Sequence, residues 1–134
     1  MNLETARARD LMSVSPQAIS SEASLLEAAQ RMNALRIHCL VISDLGPGRG
    51  LGIITCKDVV QLLGELDVET LRQLTVAEAM SCPAITVPAE LCVADCIRLM
   101  RMAGVRTVPV LEGAEPVGVL SFTDVMGAIG NPDR

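Results

Sequence analysis

Two stretches of this chain obey one rule: GIITCKD at residues 52–58 and GVLSFTD at residues 118–124 both run Gly, two β-type apolar residues, Ser or Thr, two variable residues, Asp. The agreement spreads outward. Met12 matches Met80, Met32 matches Met100, Ile37 matches Val105 and Ile42 matches Val110, each pair 68 positions apart. Beyond Asp44 the spacing falls to 66, because the first copy carries a glycine-rich loop two residues longer. A chain that repeats itself in this way must fold as two like pieces, each with the same faces to bury. The repeats are taken as residues 8–63 and 76–129, joined by a connector at residues 64–75. Each copy has about 55 residues, a size at which a lone core is marginal, so the two are expected to pack into one folding unit.

Composition narrows what such a duplicated chain can be. Half of its 134 residues are apolar and one-fifth are charged, the balance of a compact globular domain rather than of a disordered or fibrous chain. No apolar run nears the roughly 20 residues that span a bilayer. The opening MNLETARARDLM has no uninterrupted apolar stretch after its charges, so a cytoplasmic protein without a membrane partner is expected. Of the net charge of −5, the first repeat carries five basic against five acidic residues and the second three against six. With no basic stripe, and with Phe122 the only aromatic residue, nucleic-acid binding is not expected.

Five cysteines, Cys39, Cys56, Cys82, Cys92 and Cys96, include no CxxC pair and are odd in number, so reduced, buried thiols are expected rather than a disulfide framework. Cys92 and Cys96 lie four apart on an expected helix, and Cys39 adjoins the single histidine, His38. Nothing at a recognisable spacing supplies the other ligands of a tetrahedral site, so no metal is expected.

Each copy reads as a short extended piece, a helix, two strands and a second helix. In the first, Ala18 and Ile19 are extended, and residues 24–35 place Leu25, Ala28, Ala29, Met32 and Leu35 at helical spacing, opened by a Ser24/Glu27 capping box. CLVI at 39–42 and LGII at 51–54 form a hairpin around SDLGPGRG, and Val59, Val60, Leu62 and Leu63 mark a second helix. In the second copy AITV at 84–87 is a strand, and residues 93–102 a helix closed by Gly104, with Val93, Ile97 and Met100 inward. TVPVL at 107–111 and PVGVLS at 116–121 flank the turn EGAE, and a last helix starts near Asp124 and ends at Gly127 or Gly130. Residues 64–75 look charged and aperiodic, and Thr75 with Glu78 makes another capping box.

GPGRGLG at 46–52 is not read as a phosphate cradle, because a strand rather than a helix follows it. The Ser/Thr-x-x-Asp pairs admit two readings. Thr55 with Asp58, and Ser121 with Asp124, fit helix capping boxes that require no ligand. The same groups fit a site in which the helix N-terminus receives a phosphate and the carboxylate accepts hydrogen bonds from sugar hydroxyls.

With these elements in register, the chain resembles the CBS domain family, the tandem modules named after cystathionine β-synthase. The resemblance covers nearly all of residues 8–129. It rests on the duplicated Gly-apolar-apolar-Ser/Thr-x-x-Asp element, on VRTVPV at 105–110, on IHCLVI at 37–42 and on the helix between. It implies an α+β fold of tandem repeats, each β-α-β-β-α, related by pseudo-twofold symmetry as one Bateman module. It also implies two clefts between the halves that commonly hold AMP, ADP, ATP or S-adenosylmethionine. Carried over residue by residue, Asp58 and Asp124 would bind ribose hydroxyls, and Thr55 and Ser121 would face the ribose or first phosphate. Lys57 and Thr123 would reach phosphates, as would His38 and Arg106 at equivalent places in strand two. Ala18, Ile19, Ala84 and Ile85 would meet the adenine. The first copy has Val41 where the second has Pro109, so the second lies nearer the family pattern and Asp124 is expected to matter more.

The resemblance thus implies a stand-alone, homodimeric regulatory module that senses an adenosyl compound and signals by a change of packing to an unidentified protein target, with no cofactor required. A scaffolding dimer with empty clefts is the alternative. An enzyme using Cys39 or Cys56 with His38 is a weaker one, since one histidine and scattered thiols do not assemble a nucleophile, a base and an orienting partner.

Overall fold

The computed structural model describes residues 2–130 and is a mixed α+β fold. In chain order its elements are α1 (Ala8–Leu11), β1 (Ser13–Val14), α2 (Leu25–Leu35), β2 (Cys39–Ile42), β3 (Gly52–Thr55), α3 (Cys56–Leu63), α4 (Val68–Gln73), α5 (Val76–Ala79), β4 (Val87–Pro88), α6 (Val93–Ala103), β5 (Thr107–Glu112), β6 (Glu115–Ser121) and α7 (Phe122–Ile129). They divide into two compact units. One is Gln17–Ala84; the other joins the segment before residue 17 to the residues from Ile85 on.

In the Gln17–Ala84 unit, β2 and β3 pair antiparallel from Cys39↔Thr55 to Ile42↔Gly52. Ala18 bridges Val41 in parallel on one side, and Ser81 bridges Ile53 antiparallel on the other. All four β2 residues are buried. Leu40 and Ile42 share a core with Leu25, Ala28 and Met32 of α2, Ile54, Val59, Val76 and Leu71. Ser24 caps α2 by accepting the Glu27 amide at 3.0 Å. The reciprocal half of the expected capping box is not made, because the Glu27 carboxylate turns to Arg31 at 3.4 Å, one helical turn on. The stretch read as a connector contains α4: Asp67 accepts the Thr70 amide at 2.9 Å, and Leu71 is only 2% exposed. Backbone bonds from Leu25 N to Leu74 O (2.9 Å) and Val76 N to Ala23 O (2.8 Å) fasten its far end to the start of α2.

The other unit holds a four-stranded sheet in the order β1-β6-β5-β4, with β4 parallel to β5 and the other neighbours antiparallel. Its core gathers Ala8 and Leu11 of α1 with Val93, Cys96 and Met100 of α6 and Val108, Val110, Leu120 and Val125. The AITV stretch enters the sheet only at Val87 and Pro88, which pair with Val110 and Leu111; residues 84–86 are not strand. Helix α7 starts at Phe122, earlier than the sequence indicated, because Ser121 is its N-cap. Gly104 closes α6 at φ 69°, and the matching residue after α2, Arg36, adopts the same left-handed turn at φ 56° without being glycine.

The two units repeat one pairing scheme. Ser13↔Val119 in one is the counterpart of Ser81↔Ile53 in the other at the offsets read from the sequence. Each unit therefore completes its sheet with the opening segment of the opposite repeat, a partition the duplication alone does not reveal.

Candidate functional site

The Ser/Thr-Asp elements sit where strand turns directly into helix. Thr55 ends β3 and caps α3: its hydroxyl accepts the Asp58 amide at 3.2 Å, and its own amide donates to Asp58 Oδ2 at 2.8 Å. Ser121 ends β6 and caps α7 in the same way, accepting the Asp124 amide at 3.1 Å and donating its own amide to Asp124 Oδ2 at 2.9 Å. Both caps are extended, at φ −119° and −125°, as an N-cap requires. Capping is thus complete at both places without a ligand. It still leaves a half-buried carboxylate at the start of an eight-residue helix, aligned favourably with the helix dipole.

The two carboxylates differ in what else they hold. Asp124 Oδ2 also accepts the Ser121 hydroxyl at 3.0 Å, and its Oδ1 accepts the Ser13 hydroxyl at 3.2 Å. Asp58 receives only the Thr55 amide, so among the described residues its Oδ1 has no protein donor.

The glycine that opens each element has a packing reason. A Cβ on Gly118 would lie 2.8 Å from the Ser13 carbonyl oxygen and 2.5 Å from Met12 Sδ, and one on Gly52 would lie 2.8 Å from Met80 Sδ. The segment of Met12 and Ser13, and its counterpart at Met80 and Ser81, can cross these strands only where no side chain intervenes.

The remaining sequence candidates fall around these caps. His38 and Arg106 occupy equivalent places: their carbonyls accept the Cys56 amide at 2.9 Å and the Phe122 amide at 3.0 Å, and both side chains are exposed. His38 also lines an open, largely apolar groove of about 490 Å³, beside Arg36, Cys56, Val59 and Val60. Lys57 and Thr123 are exposed on the first turn of their helices. Ala18 lies across β2 from Ile53 and is exposed, whereas Ile19 is buried, its amide bonded to Val41 O at 3.0 Å. Ala84 is half-buried, with its amide on Leu51 O at 2.7 Å, and Ile85 is exposed in the other unit. By offset and pairing, Thr86 and Val87, rather than Ala84 and Ile85, stand where Ala18 and Ile19 stand in the first repeat. Thr86 and Ser13, which stand beside these candidates, were not among those the sequence singled out. The 68-residue offset pointed to the first, and no local signal marked the second.

The thiols are set back from chemistry. Burial pushes Cys96 up to about 11, helped by Cys92 and Asp95, and burial raises Cys56 as well, so both are protonated and weakly nucleophilic at neutral pH. The Cys56 thiol faces the Ile37 carbonyl at 3.8 Å and Met32 Sδ at 3.7 Å. Cys39 and Cys96 are buried as expected, but Cys82 is exposed, in the irregular turn after α5. Among the described residues, no three His, Cys, Asp or Glu side chains converge as metal ligands.

The family described as CBS domain matches residues 8–65 and again residues 76–131. No curated protein sequence matches the chain. Among solved structures, the chain is similar to the CBS domain pair of protein MJ0100 in complex with 5′-methylthioadenosine and S-adenosyl-L-methionine. Identity there is 25% and the TM-score 0.81, covering 96% of this chain and 98% of that one. Hypoxic Response Protein I with two coordinated zinc ions is 27% identical at a TM-score of 0.71, covering 91% and 98%. A hexameric CBS-CP12 protein from bloom-forming cyanobacteria is 23% identical at a TM-score of 0.87, covering 97% and 75%, a likeness of fold.

Proposed function

Because the chain belongs to the CBS domain family, matched in tandem along most of its length, we propose that it is a regulatory module binding an adenosyl compound at its Ser/Thr-Asp elements. The observation that carries this reading is Asp58: a half-buried carboxylate at the head of α3, with Oδ1 open among the described residues and Lys57 beside it. An open carboxylate oxygen suits a ribose hydroxyl, and the helix N-terminus with Lys57 suits a phosphate, so AMP, ADP and ATP come first and S-adenosylmethionine second. The adenosyl ligands of the MJ0100 pair support the class. The ligand regulates rather than serves as a cofactor. The module acts in the cytoplasm by changing its packing or its affinity for a protein target, without catalysis of its own. No helix among the described residues is long and apolar enough to cross a membrane. Zinc is not carried over, since among the described residues no three His, Cys, Asp or Glu side chains converge.

Thermal unfolding with a panel of AMP, ADP, ATP and S-adenosylmethionine tests this. A ligand that binds only the folded state, at ~100 times its Kd, stabilises by about 2.7 kcal/mol, which for this size raises Tm by roughly 10 °C. The chain has no Trp or Tyr, so calorimetry or an extrinsic dye must report the transition. The completeness of both capping boxes favours a second reading, a scaffold with no small ligand, and a flat result across the panel would select it.

Homodimerisation is part of the proposal. Val60 and Leu63 on α3 are 63% and 42% exposed, and their counterparts Met126 and Ile129 on α7 are 63% and 50% exposed. The duplication thus leaves the same apolar face uncovered twice, which suits a self-complementary contact between copies. Light scattering at micromolar concentration should report twice the 14.2 kDa chain mass. A monomer reading removes this part of the proposal.

A further inference from the structure

We propose that Ser13 is a built-in competitor for the ribose at the second repeat, so that the two Ser/Thr-Asp elements are unequal. This rests on the nucleoside reading of those elements given above and names how one of them is regulated. A carboxylate offers about four lone-pair positions. At Asp124 three are taken, by the Ser121 amide, the Ser121 hydroxyl and the Ser13 hydroxyl. At Asp58, among the described residues, only one is taken, by the Thr55 amide. A ribose presents two adjacent hydroxyl donors. Asp58 can accept both; Asp124 can accept both only when Ser13 withdraws.

The asymmetry does not come from the backbone. Ser81 is the counterpart of Ser13 and pairs with Ile53 as Ser13 pairs with Val119. Among the described residues its bonds are the backbone pair to Ile53, at 2.9 and 3.0 Å, with none to Asp58. The Ser13 segment is also suited to moving: β1 is two residues long, both exposed, and among the described residues it pairs only with β6, at Val119 and Gly118. A hydroxyl delivered on so short an exposed strand occupies the place of a sugar hydroxyl until a ligand displaces it.

Calorimetric titration of the whole chain with 5′-methylthioadenosine and with AMP tests this, using Asp58→Asn to silence the first element. Wild type should show one tight event, and Asp58→Asn only a weak one. Adding Ser13→Ala to Asp58→Asn should tighten the weak event roughly 10-fold, the effect of removing one competing hydrogen bond to a charged acceptor. Ser13→Val, which lacks the hydroxyl but favours the strand, should do the same, and Ser13→Thr, which restores it, should return the weak event. If the double variants bind as weakly as Asp58→Asn while wild type binds tightly, Ser13 is no competitor and the nucleoside reading stands. Two equal events in wild type would likewise overturn the competition and leave nucleoside binding intact. Silence of wild type and all variants toward both probes overturns the nucleoside reading and this inference with it.

Discussion

Leu71→Ala should lower the unfolding free energy by about 2–5 kcal/mol, the range for emptying a fully packed leucine site. Leu71 is 2% exposed and belongs to the core of the Gln17–Ala84 unit, on a helix that packs against α2. The site has little freedom to collapse. Asp67 fixes the start of α4 through Thr70, and the Leu25 and Val76 amides clamp the segment after it to Leu74 and Ala23. Against a typical total of 5–15 kcal/mol the loss is large. Chemical denaturation at fixed protein concentration measures it, with Val68→Ala, at a position 55% exposed, expected to stay within about 0.5 kcal/mol of wild type. A loss below about 1 kcal/mol at Leu71 would mean that α4 is only a tether.

That helix shows where the sequence was hard to read. In α2 and α6 the apolar residues recur at helical spacing over three turns, and Ser24 and Gly104 mark the ends, so both helices were legible. In α4 the six residues VETLRQ offer one buried position among charges; its order comes from packing on α2, which no local period records. AITV failed in the opposite direction. Its β-branched residues read as strand, but β5 supplies partners only for Val87 and Pro88.

The candidate site divides along the same line. Thr55, Asp58, Ser121 and Asp124 were legible because capping chemistry and duplication are both local signals. Ser13 was not, because it lies 111 residues from Asp124 and reaches it only through the pairing of β1 with β6. The two glycines stood out as a motif, yet their reason, the crossing of Met12 with Ser13 and of Met80, is likewise a tertiary fact.

Asp58→Asn should weaken binding of the active panel member by roughly 10- to 150-fold, corresponding to the 1.5–3 kcal/mol of a hydrogen bond to a charged acceptor. Asn keeps the size of the side chain and an oxygen for the Thr55 amide, so apo stability should fall by less than about 1 kcal/mol. Asp124→Asn should move affinity less. The second repeat lies nearer the family pattern, which alone would favour Asp124, but three protein donors already crowd its carboxylate while Asp58 keeps Oδ1 open among the described residues. Charge points the same way, since the first repeat balances five basic against five acidic residues and the second sets three against six. Calorimetry of both variants, paired with their apo melting curves, separates the possibilities. If both substitutions lower the apo Tm and leave affinity untouched, the carboxylates are helix caps and nothing more. If Asp124→Asn has the larger effect on affinity, nucleoside binding survives, but Ser13 does not obstruct the second element and the order of the two sites is reversed.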